Sequence, residues 1–183
     1  CTISAGGAKN FLLTGLPGAG KTTVVVRLAH LLGPLAAGFY TAEIRAGGKR
    51  VGFEVVTLGG KRDLLAHVSF SSPKRVGKYG VRPEGLKEAL REIEHALQAG
   101  VPRCLIIDEI GKMELLVPGF AEAVLKALEA PVPVVATVLA RPHPFADALK
   151  RRPDAQLIEV TGENRNDLPR RLYDALAALL GLR

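Results

Sequence analysis

Residues 15–23 read GLPGAGKTT and carry the spacing G-x-x-x-x-G-K-[ST] at Gly15, Gly20, Lys21 and Thr22. Gly15, Gly18 and Gly20 lack a Cβ, so the backbone can turn several N–H groups inward around an anion. Lys21 follows where a helix would begin, so its ammonium and the unpaired N–H groups of a first helical turn address the same spot. The chemistry expected of this stretch is polyphosphate binding. Gly15, Leu16, Pro17, Gly18, Ala19 and Gly20 wrap the phosphates, Lys21 lies on the β and γ groups, the Thr22 hydroxyl ligates Mg²⁺, and Thr23 supports the site. ATP, GTP or another nucleoside triphosphate is the expected ligand.

A second reactive stretch, RCLIIDEIGKMEL, spans residues 103–115. The apolar run 104–107 reads as a buried parallel strand, so Asp108 and Glu109 emerge at its C-terminal end. Ligands of open parallel sheets bind at that edge, and a phosphate loop opens there too. Asp108 is placed to hold Mg²⁺, directly or through a water, opposite Thr22. Glu109, one residue on, can polarise the water that attacks the γ-phosphate. An acid after an apolar run is a weak pattern alone and fits a cap on the next turn as well. The glycine loop upstream is what gives it weight.

These groups need a frame, and the apolar spacing supplies one. Residues 11–13 suit a buried strand and 21–32 an amphipathic helix. Alternation across 38–58, around the turn 46–49, predicts a β-hairpin. Residues 59–83 carry no clear pattern, and 71–83 among them read as an irregular surface loop. Within it, residues 71–82 carry Lys74, Arg75, Lys78 and Arg82, which suit either a cationic lid or an ordinary connector. A helix runs from Pro83 to Gly100 on Leu86, Leu90, Ile93 and Leu97, with His95 off the stripe as a surface histidine. After strand 104–107 come a helix over 118–130 and a strand over 132–139. Thr137 near that strand's end senses the γ-phosphate or is simply a satisfied core threonine, and Arg141 just past it reads as solvated more readily than as a charge stabiliser. A helix over 145–150, a strand over 156–160, the polar turn 161–167 and a helix over 168–180 complete the chain. Asn164, Arg165 and Asn166 offer contacts to base or ribose, with capping of the last helix by Asn166 or Asp167 as the alternative. The pattern predicts an α/β fold of the P-loop NTPase type, a mainly parallel sheet flanked by helices with an inserted antiparallel β-hairpin.

The chain has 183 residues, 48% of them hydrophobic and 23% charged, which fits a globular protein. One domain over 11–183 is expected, after an N-terminal extension or cloning remnant at 1–10. No apolar run approaches the roughly 20 residues that span a bilayer, so no membrane association is expected. Cys1 and Cys104 give no disulfide framework, which points to a reducing, cytoplasmic setting. The net charge of +7 suits polyanions, but the basic residues are scattered in pairs such as Lys61-Arg62 and Arg170-Arg171. A solvated basic surface is therefore favoured over a nucleic-acid face, and a monomer is expected.

With those residues in view, the chain resembles the THEP1 family of nucleoside-triphosphatases. The resemblance rests on GLPGAGKTT, on GFYTAEIR with GFEVVTL, on VGKYGV, on IDEIGKMEL and on ENRN. It implies a Mg²⁺-dependent hydrolase that splits ATP, GTP and other nucleoside triphosphates to diphosphate and phosphate, slowly and with broad base tolerance. It also implies the strand-inserted class of P-loop domains, with Asp108 and Glu109 in the metal and water-activating positions. Arg82, just after VGKYGV, departs from the acidic or amide residue expected in relatives. Two other readings remain open. A nucleotide or small-molecule kinase would use the 71–82 cations as its lid, although Glu109 beside Asp108 gives water its own base. A non-catalytic or nucleic-acid-linked binder, switched by nucleotide, ranks last because the charge is scattered.

Overall fold

The structure, a computed structural model, describes residue 3, residues 7–101 and residues 103–182. Cys1 lies outside them, as do residues 2, 4, 5 and 6 of the expected N-terminal extension. The described residues include nine strands of one sheet: β1 (Asn10–Thr14), β2 (Ala36–Ala46), β3 (Lys49–Thr57), β4 (Arg62–His67), β5 (Arg75–Val76), β6 (Tyr79–Val81), β7 (Cys104–Ile110), β8 (Val134–Val138) and β9 (Ala155–Glu159). Their spatial order is β5-β6-β4-β3-β2-β7-β8-β1-β9. From β2 to β9 every pairing is parallel, and from β2 outward through β3, β4, β6 and β5 every pairing is antiparallel. The fold is thus the expected α/β sheet, and the hairpin extends that sheet at one edge.

Side-chain alternation assigns the two faces. In β1, Leu12 packs into one apolar cluster while Phe11 and Leu13 pack into the other, and in β7 Leu105 and Ile107 oppose Cys104 and Ile106 in the same way. Helices α1 (Lys21–Leu32) and α5 (Leu168–Leu180) cover one face through Val24, Val25, Leu28, Leu168, Leu172 and Leu176. Helices α2 (Lys87–Ala99), α3 (Phe120–Glu129) and α4 (Pro144–Lys150) cover the other. Both faces being buried explains why β7 and β8 read as continuous apolar runs. Cys104 belongs to that interior; burial pushes its thiol up to about 12, which leaves it a packing residue.

The differences from the sequence expectations have local causes. Residues 59–83 hold β4, where no element was assigned, and β5 and β6, where an irregular loop was expected. Strands of two and three residues are too short to show a period, and in β4 the adjacent Leu64 and Leu65 blur the alternation although only Leu65 is buried. The helix expected from Pro83 starts as a 3-10 turn, Pro83–Leu86, and becomes α-helical only at Lys87. Its end at Gly100 is as expected: that residue takes φ 70° and returns its N–H to the Ala96 carbonyl. His95 is exposed. The first strand begins at Asn10, one residue before the expected start; there the Lys9 ammonium donates to the Val132 carbonyl and the buried Asn10 amide to that of Leu128.

Phe120 of α3 is fully buried and meets Phe39 of β2 edge-on, with ring centroids 6.3 Å apart, so it clamps the helix to the parallel half of the sheet. Phe120→Ala is expected to lower the unfolding free energy by about 3–5 kcal/mol in urea titrations, whereas Leu125→Ala on the exposed side of the same helix costs under about 1 kcal/mol. Equal losses for the two variants would contradict this packing.

Candidate active site

The order β7-β8-β1 brings the two reactive stretches to one edge. Leu13 of β1 is in register with Thr137 of β8, and Ile107 of β7 with Ala136, so the loop leaving β1 and the acids on β7 are separated by a single strand. The chain turns through residues 15–20 and enters α1 at Lys21. Gly20 supplies the turn by taking φ 103°, and no side chain caps the helix, so the first N–H groups of α1 are left for another acceptor. Leu16, Pro17 and Gly18 are exposed at the rim and Thr23 is exposed on the first turn.

Asp108 sits beneath this loop, 1% exposed. Its Oδ1 accepts from the Thr137 hydroxyl at 2.6 Å and its Oδ2 from the Thr41 N–H at 3.4 Å, and the nearby Thr22 hydroxyl also favours its ionised form. Burial pushes the carboxyl up to about 6; the Thr137 hydroxyl opposes the rise and the Glu109 charge adds to it. Asp108 is therefore an ionised oxygen donor at neutral pH, near the hydroxyl of Thr22. Two hard oxygens from separate elements, side by side, are the donor type that Mg²⁺ takes, and Mg²⁺ completes its shell with water and phosphate.

Glu109 points to the other side of the strand tip. Its Oε2 accepts from the Lys21 ammonium at 3.0 Å, in a pair whose side chains are 12% (Lys21) and 31% (Glu109) exposed. A third acid, Glu114, lies on a 3-10 turn, Glu114–Leu116, just after β7 and is 5% exposed. Burial, then the neighbouring Glu109 charge, pushes its carboxyl up to about 8. The sequence reading passed over Glu114, as it did the Thr41 N–H. An acid flanked by Met113, Leu115 and Leu116 was the available signal, since a glutamate in an apolar run has to be bonded or exposed.

Other candidates fall into place differently. Thr137 spends its hydroxyl on Asp108, the satisfied-core reading, and Arg141 is exposed. In the turn 161–167, Asn164 is occupied structurally, its Oδ1 accepting from the Thr161 N–H and its amide donating to the Glu159 carbonyl. Arg165 lies against the phosphate loop: a Cβ on Gly20 would come within 3.2 Å of its Cδ. Asn166 instead lines a groove of about 340 Å³ with Arg27, His30, Leu31, Pro169 and Arg170, between α1 and α5. Asp167 stands at the N-cap position just before α5 without a side-chain cap bond. Of the 71–82 cations, Arg82 pairs with Asp63, and Arg75 donates to the Phe70 and Lys78 carbonyls.

Comparison with known proteins agrees with this frame. The model of a family described as NTPase matches residues 10–173, and the chain belongs to that family. It is 52% identical over 165 residues to the nucleoside-triphosphatase THEP1 of Natranaerobius thermophilus, covering 89% of this chain and 93% of that protein. It is 38% identical over 176 residues to the human cancer-related nucleoside-triphosphatase, covering 88% and 93%. The crystal structure of THEP1 from Aquifex aeolicus superposes with a TM-score of 0.84 at 39% identity, over 91% of this chain and 98% of that one.

The raised carboxyl of Glu114 has a measurable consequence. Its folded value of about 8 lies above the ordinary 4.5, so between the two the folded protein keeps a proton that the unfolded chain has released. This contribution to stability is intact below about pH 4.5 and is lost as the pH rises towards about 8. Thermal unfolding of the ligand-free protein should therefore show wild type losing stability relative to Glu114→Gln as the pH is raised through that window. Parallel pH profiles would contradict the assignment.

Proposed function

We propose that this chain hydrolyses nucleoside triphosphates to diphosphate and phosphate, with Mg²⁺ and little discrimination between bases. Membership of the NTPase family and the names of the relatives support the reaction class. The observation that carries the residue assignment is the meeting of Lys21, from the glycine loop, with Glu109, from β7, at 3.0 Å. They meet beside Thr22 and Asp108, which lie near each other.

Each group then has a role. The N–H groups of residues 15–20 and the start of α1 gather the phosphate oxygens, and Lys21 neutralises charge on the β and γ groups. The incoming γ-phosphate competes with Glu109 for the Lys21 ammonium, which frees the Glu109 carboxylate to orient a water and take its proton. When bound, Mg²⁺ neutralises the charge that develops on the β,γ oxygens. Thr22 would hold it by its hydroxyl, and Asp108 directly or through a water. Arg165, lying along Gly20, offers a guanidinium plane that can stack on any base or reach a phosphate oxygen, and Asn166 contributes from the neighbouring groove. A stacking contact of that kind reads no particular base edge, which accounts for broad base use.

The kinase reading is not favoured. Arg75 and Arg82 are engaged within their own segment and with Asp63, away from a lid role, while Glu109 stands at the phosphate loop.

Phosphate release from Mg-ATP without any added acceptor tests the proposal. Lys21→Ala should abolish it while weakening nucleotide binding. Glu109→Gln should keep nucleotide affinity within about threefold and lose about 10²–10⁴ in kcat, the range expected for removal of a general base. Turnover that appears only with an added phosphoryl acceptor, or a Glu109→Gln enzyme of normal rate, would overturn it.

A further inference from the structure

A carboxylate that serves as a ligand for Mg²⁺ must be held at one angle, because this cation accepts little departure from octahedral geometry. Resting on the reading of Asp108 as that ligand, we propose that Thr137 is the positioning residue that sets the angle, by donating its hydroxyl to Asp108 Oδ1 from the neighbouring strand. Thr137 acts through Asp108 and touches none of the reacting atoms.

The register of the sheet carries this first. From Ile107 to Ile110 β7 advances three residues while β8 advances two, from Ala136 to Val138, so Asp108 and Glu109 together face Thr137. Such a two-against-one count is a β-bulge, a device that re-aims a side chain. On the other side, the pairing of β2 with β7 ends at Phe39 and Ile107, just before the acid. Asp108 thus stands at a break in the ladder towards each neighbour, and each neighbour supplies a donor to its side chain instead. The Thr137 hydroxyl reaches Oδ1 at 2.6 Å, and the Thr41 N–H reaches Oδ2 at 3.4 Å. The hydroxyl makes the shorter bond, and it is the one that depends on residue type.

The second observation is a hydroxyl buried in a strand that is otherwise apolar. β8 runs Val134, Val135, Ala136, Thr137, Val138, all of them buried, and Thr137 is 0% exposed. Valine has the outline of threonine and would fill the same space with no polar atom to satisfy. The bond it would forfeit has the length of a hydroxyl given to an ionised carboxylate. No cation does this work in its place, since the Lys21 ammonium is given to Glu109. Asp108 is itself 1% exposed, which leaves solvent little part in fixing its orientation.

The test measures binding of a fluorescent, non-hydrolysable triphosphate to the full chain as Mg²⁺ is titrated in. Thr137→Val, which keeps the outline and removes the donor, should raise the Mg²⁺ concentration for half-maximal tightening by about tenfold or more, with metal-free nucleotide affinity within about threefold of wild type. Thr137→Ser keeps the hydroxyl and should bring the Mg²⁺ requirement back to within about threefold of wild type. A wild-type Mg²⁺ requirement in Thr137→Val, or equal impairment of the valine and serine variants, would overturn the proposal. Should the valine variant not fold, Thr137→Ala decides: it should show the same raised requirement, and a wild-type one overturns the proposal. Asp108→Asn separates this role from the reading on which it rests. If Mg²⁺ tightens binding to Asp108→Asn as it does to wild type, the assignment of Asp108 as metal ligand has failed; if that variant loses the gain while Thr137→Val keeps it in full, only the role of Thr137 has failed.

Discussion

An ammonium from one element and a carboxylate from another stand 3.0 Å apart at the open edge of the sheet, and beside them a threonine hydroxyl lies near a buried aspartate. The rest of the fold serves to keep these two pairs in place. Lys21 and Thr22 are the first residues of α1, which is seated by Val24, Val25 and Leu28 on one face of the sheet. Asp108 and Glu109 belong to β7, gripped on both sides by the parallel strands β2 and β8. Because β8 lies between β1 and β7, the glycine loop has room for a polyphosphate between itself and the acids, while both remain within side-chain reach.

The acids differ in what the protein does with them. Asp108 is walled in and held by the Thr137 hydroxyl and the Thr41 N–H, which keeps an oxygen donor fixed beneath the loop. Glu109 remains partly exposed, free enough to change partner. Glu114 is buried on the turn just after the strand tip, where burial pushes its carboxyl up to about 8. Three carboxyls within seven residues thus occupy three environments, and burial with hydrogen bonding, not identity, divides their work.

Much of this was legible in the sequence. The glycine loop, α1, the acids on β7 and the hairpin all announce themselves, because their signals are local: fixed spacing, a clean 3.6-residue period, or alternation around Gly47-Gly48. What escaped depends on neighbours distant along the chain. That Thr137 would spend its hydroxyl on Asp108 follows from the register of β8 against β7, and that Arg165 rather than Asn166 would lie along Gly20 follows from how the 161–167 turn is folded by Asn164. The strands β4, β5 and β6 escaped because their stability comes from pairing with an existing sheet edge more than from their own few residues.

The account stands or falls on whether Thr22 and Asp108 act together on a metal that accompanies the nucleotide. The direct measurement is the affinity for a non-hydrolysable triphosphate, titrated with and without Mg²⁺, in wild type, Thr22→Ala and Asp108→Asn. The account predicts that Mg²⁺ tightens binding to wild type and that each substitution removes most of that gain while leaving metal-free binding close to wild type. A Mg²⁺-dependent gain of undiminished size in both variants would contradict it.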